Sequence, residues 1–161
     1  MQRFAIYGRE FSDKYNDQIR RFFSLLDEND SQYAIYGPFC ALMQKQIGLR
    51  ADIDTFEKED FDPTAYDVML SIGGDGTMLD TTTFVRDSKL PILGLNTGRL
   101  GFLSSINLEQ MDEAMQQVFK GAYMIDTRSV LKVVTEEGFF GDENFALNEL
   151  TIHKKDTQSM I

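Results

Sequence analysis

The chain contains one cysteine, Cys40, and one histidine, His153, in 161 residues. A single thiol excludes an internal disulfide, and one thiol with one imidazole is too few for a zinc site. Cys40 therefore reads as a small core residue. Basic residues are the minority, 16 Lys and Arg against 26 Asp and Glu, for a net charge of −10. Non-specific nucleic-acid binding needs a basic surface, so this balance argues against it. A small anionic ligand stays compatible, because a phosphate site is a local arrangement. No apolar run is long enough to span a bilayer, and no secretory leader is recognisable. A cytoplasmic protein with no membrane partner is the expectation. Neither G-x-G-x-x-G nor a Gly-Lys-Ser/Thr triplet occurs, so the Rossmann and Walker fingerprints are both missing.

What is present is a hydrophobic fraction of 42%, ample for a core, distributed in short apolar runs that alternate with helical patterns. Arg3 to Tyr7, Tyr33 to Tyr36, Ile53 to Phe56, Val68 to Ile72 and Pro91 to Leu95 read as strands. Asp13 is placed to cap a helix carrying Tyr15, Ile19, Phe22, Phe23 and Leu26 at helical spacing. A second helix runs from Pro38 to Ile47 and stops at Gly48. The acidic stretch Glu57 to Asp62, broken by Pro63, reads as a solvated loop. A third helix is expected from about Thr77 to Arg86, although threonines 81 to 83 are poor helix formers and imply support from packing. Asn107 is placed to cap a fourth helix through Lys120, with Leu108, Met111, Met115, Val118 and Phe119 inward and Gly121 ending it. Strands separated by helices imply an α/β domain, a parallel sheet flanked by helices.

The grammar changes after Gly121. Ser129 to Thr135, Phe145 to Leu147 and Leu150 to Lys154 read as strands without intervening helices. A boundary near Tyr123 to Arg128 divides a 1–125 α/β domain from 126–161, the beginning of a β-rich domain whose pattern is still running at Ile161.

Three segments carry chemistry. The first is Ser71-Ile72-Gly73-Gly74-Asp75-Gly76-Thr77. Glycines at the end of a buried strand, before a helix start, expose backbone N–H groups without a Cβ in the way, which suits phosphate. A carboxylate inside such a cradle is electrostatically awkward. It points to a base for a hydroxyl or a ligand for a divalent cation. A bare strand-to-helix turn is the alternative, but the position is where open α/β sheets bind ligands. The second segment, Gly94 to Leu103, also follows a buried strand and should emerge at the same edge. Gly98 and Gly101 allow close backbone approach, and Asn96 offers an amide. Arg99 reads equally as a phosphate contact or an exposed side chain, and Phe102 as a stacking or a core residue. The third, Asn148-Glu149, is by itself an ordinary polar pair at a strand edge.

Together, in this order, Gly73 to Gly76, Asn96 to Leu103 and Asn148-Glu149 resemble the NAD kinase family. Lipid kinases and 6-phosphofructokinases share only the first motif. The resemblance implies phosphorylation of the adenosine-ribose 2′-hydroxyl of NAD to NADP, by ATP or polyphosphate, with a divalent cation such as Mg²⁺. It implies Asp75 as proton acceptor. It also implies a nucleotide and phosphate cradle of Gly73, Gly74, Asp75, Gly76 and Thr77, with Asn96 and Phe102 beside the nucleotide. Asn148, Glu149 and Ser159 would contact NAD, and a homo-oligomer, dimer or tetramer, is implied. The family's later Gly-Ser-Thr-Ala-type motif is absent from these 161 residues, which implies that this chain alone turns over poorly. A kinase for a lipid or sugar acceptor and a non-catalytic nucleotide-binding module are the competing readings.

Overall fold

The computed structural model describes residues 2–98, 101–103, 106–141, 144–147 and 149–152. They form two compact units, Met1–Ile125 and Asp126–Ile161. The first is an α/β unit. Its strands are β1 (Arg3–Gly8), β2 (Gln32–Tyr36), β3 (Asp54–Phe56), β4 (Val68–Gly73), β5 (Ile92–Asn96) and β6 (Ile106–Asn107). Its helices are α1 (Asn16–Glu28), α2 (Gly37–Ile47), α3 (Asp75–Val85) and α4 (Met111–Phe119). All six strands pair in parallel, in the order β3-β2-β1-β4-β5-β6. The expected parallel sheet with helices on both faces is what the chain builds.

Side chains alternate across the sheet with the period of two that a strand imposes. Phe4 and Ile6 of β1, with Val68, Leu70 and Ile72 of β4, pack beneath α1, α2 and α4. Ala5, Tyr7 and Met69 turn to the opposite face, where α3 contributes Phe84 and Val85. Helix α1 presents Ile19, Phe22, Phe23, Leu25 and Leu26 to the core on one stripe. Cys40 is buried in this core, as expected, and burial pushes its thiol pKa up. Gly48, in the left-handed conformation at φ 71°, ends α2 and donates to the carbonyl of Gln44.

Three local expectations are corrected. Asp13 opens a single 3₁₀ turn, Asp13–Tyr15, and makes no side-chain cap; its carboxylate accepts from Gln46 Nε2 at 3.0 Å. Asn107 belongs to the two-residue β6, an element too short to show a period, and its side chain accepts from the Gln110 N–H at 2.9 Å in the turn before α4. Leu108, Met111, Met115 and Val118 are buried as expected. Helix α3 starts at Asp75, two residues before the expected Thr77, which moves the acidic residue from the loop onto the first helical turn. The packing expected to support its threonines is present: Thr81 is fully buried and its hydroxyl bonds Ser71 Oγ and the Thr77 carbonyl.

In the second unit, β7 (Leu131–Lys132) pairs antiparallel with β8 (Phe145–Ala146). These strands are shorter than expected, and Leu150 to Ile152 lie outside any strand. Leu131, Val134, Phe139, Leu150 and Ile152 are all exposed; strands so short and so poorly covered have little packing to extend them. Among the described residues, no helix is long and apolar enough to cross a membrane.

Candidate functional site

The sheet order creates the site. Strand β1 leads to α1 on one face, whereas its neighbour β4 leads to α3 on the other. Connections that part in this way leave a crevice at the carboxyl ends of the two strands, the usual ligand position in open α/β sheets. Gly8 of β1 lies opposite Ile72 of β4, and Gly73 lies opposite Asn96 of β5. The two glycine-bearing segments therefore leave the sheet side by side at one edge.

The three glycines of the first loop are not equivalent. Gly73 has φ 156°, and a Cβ there would overlap the Thr77 side chain, which is buried. Only glycine satisfies both conditions. At Gly74 and Gly76 an added Cβ would meet nothing within 4 Å. The protein's own packing does not demand glycine at these two positions, and both border open space. Gly74 is the N-cap of α3, with φ −102° and ψ −165°, and Asp75, Gly76 and Thr77 form the first turn. The N–H groups of a first turn lack intrahelical acceptors and carry the positive end of the helix dipole. That field favours a carboxylate at Asp75 and, equally, an approaching phosphate.

Asp75 is half-buried. Its Oδ2 accepts from the Phe102 N–H at 2.8 Å and its Oδ1 from the Leu103 N–H at 3.0 Å. The second glycine segment thus closes onto the carboxylate of the first. Asn96 is buried; its Oδ1 accepts from the Gly98 N–H at 2.7 Å and turns the chain immediately after β5. The Thr97 N–H donates to the Gly73 carbonyl at 3.3 Å, tying the two loops together. Phe102 is 96% exposed, which decides against a core role.

The expected site residues fall into two groups. Gly73, Gly74, Asp75, Gly76, Thr77, Asn96 and Phe102 come together at the carboxyl edge of β4 and β5. Glu149 belongs to the second unit and is exposed. Asn148 and Ser159, like Arg99, lie outside the described residues. Among the described residues, no three His, Cys, Asp or Glu side chains gather as a metal site. Among these residues the side chains alone do not make up a cation cage.

A cluster with no signature in the local sequence pattern stands beside the candidate site. Arg9, the first residue past β1, pairs with Asp80 of α3 at 2.6 Å, and the Tyr7 hydroxyl donates to the same carboxylate at 3.3 Å. Burial raises the Tyr7 pKa, and its hydrogen bond to Tyr7 together with the Asp80 charge raises that of Arg9. Together they fasten the end of β1 to α3 next to the crevice. The signal would have been the strand order, since only the adjacency of β1 and β4 brings residues 9 and 80 together.

The comparisons agree with this geometry. A family model described as the ATP-NAD kinase N-terminal domain matches residues 27–123. The NAD kinase of Cytophaga hutchinsonii is 37% identical over 159 residues, covering 98% of this chain and 54% of the relative. That of Bacteroides fragilis is 35% identical over 161 residues, covering 99% and 54%. The chain thus spans about half the length of the curated relatives it matches. A crystal structure of yeast NADH kinase complexed with NADH superimposes with a TM-score of 0.64 at 17% identity, over 81% of this chain and 41% of the yeast protein, and establishes the likeness of fold. With 97 of its residues matched by the family model and relatives aligned along nearly its whole length, the chain belongs to the NAD kinase family.

Proposed function

We propose that this protein phosphorylates the adenosine-ribose 2′-hydroxyl of NAD, with ATP or inorganic polyphosphate as donor, to give NADP. The observation that carries the reading is the Asp75 carboxylate, set on the first turn of a helix at the carboxyl edge and gripped from the neighbouring loop. Asp75 accepts the proton of the ribose hydroxyl as that oxygen bonds the terminal phosphorus. The bond from phosphorus to its bridging oxygen breaks, and the shortened donor leaves. An ordinary carboxylate, with a pKa of about 4, is a weak base, yet a positioned one contributes about 10²- to 10⁴-fold. The larger share of phosphoryl-transfer catalysis is positioning and charge stabilisation. The first-turn N–H groups and the open space at Gly74 and Gly76 suit that task.

Several parts of the proposal come from the family. Phe102, exposed at the rim, would pack beside the nucleotide. Asn148, Glu149 and Ser159 would contact NAD from the β-rich 126–161 region. A divalent cation such as Mg²⁺ would accompany the phosphoryl donor and offset the charge of its phosphates. A cytoplasmic homo-oligomer, dimer or tetramer, completes the reading. So does poor turnover by the 161-residue chain alone, whose sequence has no Gly-Ser-Thr-Ala-type motif.

The test is an acceptor screen on the full-length gene product with ATP, and separately polyphosphate, as donor. NADP formed only when NAD is present supports the reading. Phosphorylation of a lipid or sugar, or nucleotide binding without transfer, would overturn it.

A further inference from the structure

We infer that Gly101 is a positioning residue for Asp75: its missing side chain is the space that the carboxylate occupies. The inference rests on the role proposed above for Asp75. The Phe102 and Leu103 N–H groups donate to different oxygens of one carboxylate, at 2.8 and 3.0 Å. Two donors from successive residues fix both the place of the carboxylate and the rotation of its plane, and bonds to an ionised acceptor are the stronger kind. Such a grip requires the backbone of the second loop to come up against the Asp75 side chain. It does so at Gly101, where a Cβ would overlap Cγ and both carboxylate oxygens.

The overlap has no easy relief. Asp75 has a short side chain rooted in the first turn of α3, and the same carboxylate is held by the next two N–H groups of the loop. A methyl group at position 101 must therefore push the carboxylate aside or pull Phe102 and Leu103 away from it. Either movement displaces the proton acceptor relative to the helix start that cradles the phosphate. The three glycines of the Gly73 to Gly76 run shape the cradle, whereas Gly101, from another loop, sets the aim of the base. This gives the Gly101-Phe102 step of the second segment a task separate from contact with the nucleotide.

The test uses the full-length protein and two independent readouts. In the first, Gly101→Ala should lower kcat about 100-fold, the scale expected of an ångström-sized misplacement, beyond any rise in KM that a shift of Phe102 brings. An unchanged kcat, or a loss confined to KM, would overturn the inference. The second readout is thermal unfolding of Gly101→Ala, Asp75→Ala and the double variant. The alanine at 101 should lower Tm in the parent and not in the Asp75→Ala background, where the space is vacated. An equal fall in both backgrounds would mean that Gly101 acts elsewhere and would overturn the inference, as would a double variant that fails to fold beside a stable Asp75→Ala. Should the parent show no transfer to NAD, the proposed function fails, and the unfolding comparison still decides whether Gly101 and Asp75 share one space.

Discussion

An alanine at position 73 distinguishes a glycine that the fold requires from two that it does not. The Cβ of Gly73→Ala would lie against the Thr77 side chain, 2.6 Å from its Cβ and 2.9 Å from its Cγ2, on a backbone at φ 156°. Thr77 is 5% exposed and β-branched, so it cannot rotate freely out of the way. Overpacking of this kind costs about 1–3 kcal/mol. Holding a non-glycine residue in such a backbone region costs about 1–3 kcal/mol more. The sum, about 2–6 kcal/mol, is a large part of a typical stability of about 5–15 kcal/mol. Gly74→Ala meets no atom within 4 Å and should cost only the N-cap preference for glycine over alanine, about 1 kcal/mol. Gly76→Ala, inside α3 and equally unobstructed, should raise stability by about 0.5–1 kcal/mol through helix propensity. Both should nonetheless impair use of the phosphoryl donor, because the added methyl enters the space a phosphate would take. Denaturant unfolding and steady-state kinetics on the three variants would check this. Gly73→Ala as stable as the parent would refute the packing argument; Gly74→Ala and Gly76→Ala with parental kinetics would refute the cradle.

Other consequences are as direct. Phe102→Ala should leave unfolding unchanged, since the ring is 96% exposed, and should raise KM for a nucleotide substrate; a marked loss of stability would show that the ring packs internally. Tyr33 has its pKa pushed up to about 12, chiefly by burial and secondarily by the Asp27 charge. A proton held more tightly in the folded state stabilises it below the unfolded value of about 10, and that stabilisation is lost as pH rises through the folded value. Alkaline unfolding should therefore steepen between these limits and be blunted in Tyr33→Phe. Tyrosinate absorbance showing Tyr33 ionised near its ordinary pKa in the folded protein would contradict this.

Much of the first unit was legible because its strands are continuous apolar runs and its helices carry apolar stripes. Both patterns follow from which face a side chain must bury, and Phe4, Ile6, Ile19 and Phe22 are fully buried as their spacing implied. Strand β6 was not legible, because two residues carry no period. The start of α3 was displaced because glycine and aspartate are read as loop residues, while their placement at the head of a helix depends on the sheet beneath them. The Gly-Gly-Asp-Gly run marked the candidate site. Its partner was only half visible: Gly101 stood out as permitting close approach, but what it approaches is a side chain 26 residues earlier. Pairing between distant loops, like the Arg9–Asp80 contact, is set by strand order, and strand order leaves no mark in local pattern.

The central claim concerns one side chain, and Asp75→Asn tests it most directly in the full-length protein. Asparagine keeps the size and one acceptor oxygen, so it preserves one of the two bonds from Phe102 and Leu103 and should fold. It cannot take up the proton of a sugar hydroxyl. The measurement is NADP formed from NAD and donor under saturating conditions. A loss of about 10²- to 10⁴-fold in turnover, with the fold intact, is the predicted result. NADP production by Asp75→Asn at the rate of the parent would contradict the account.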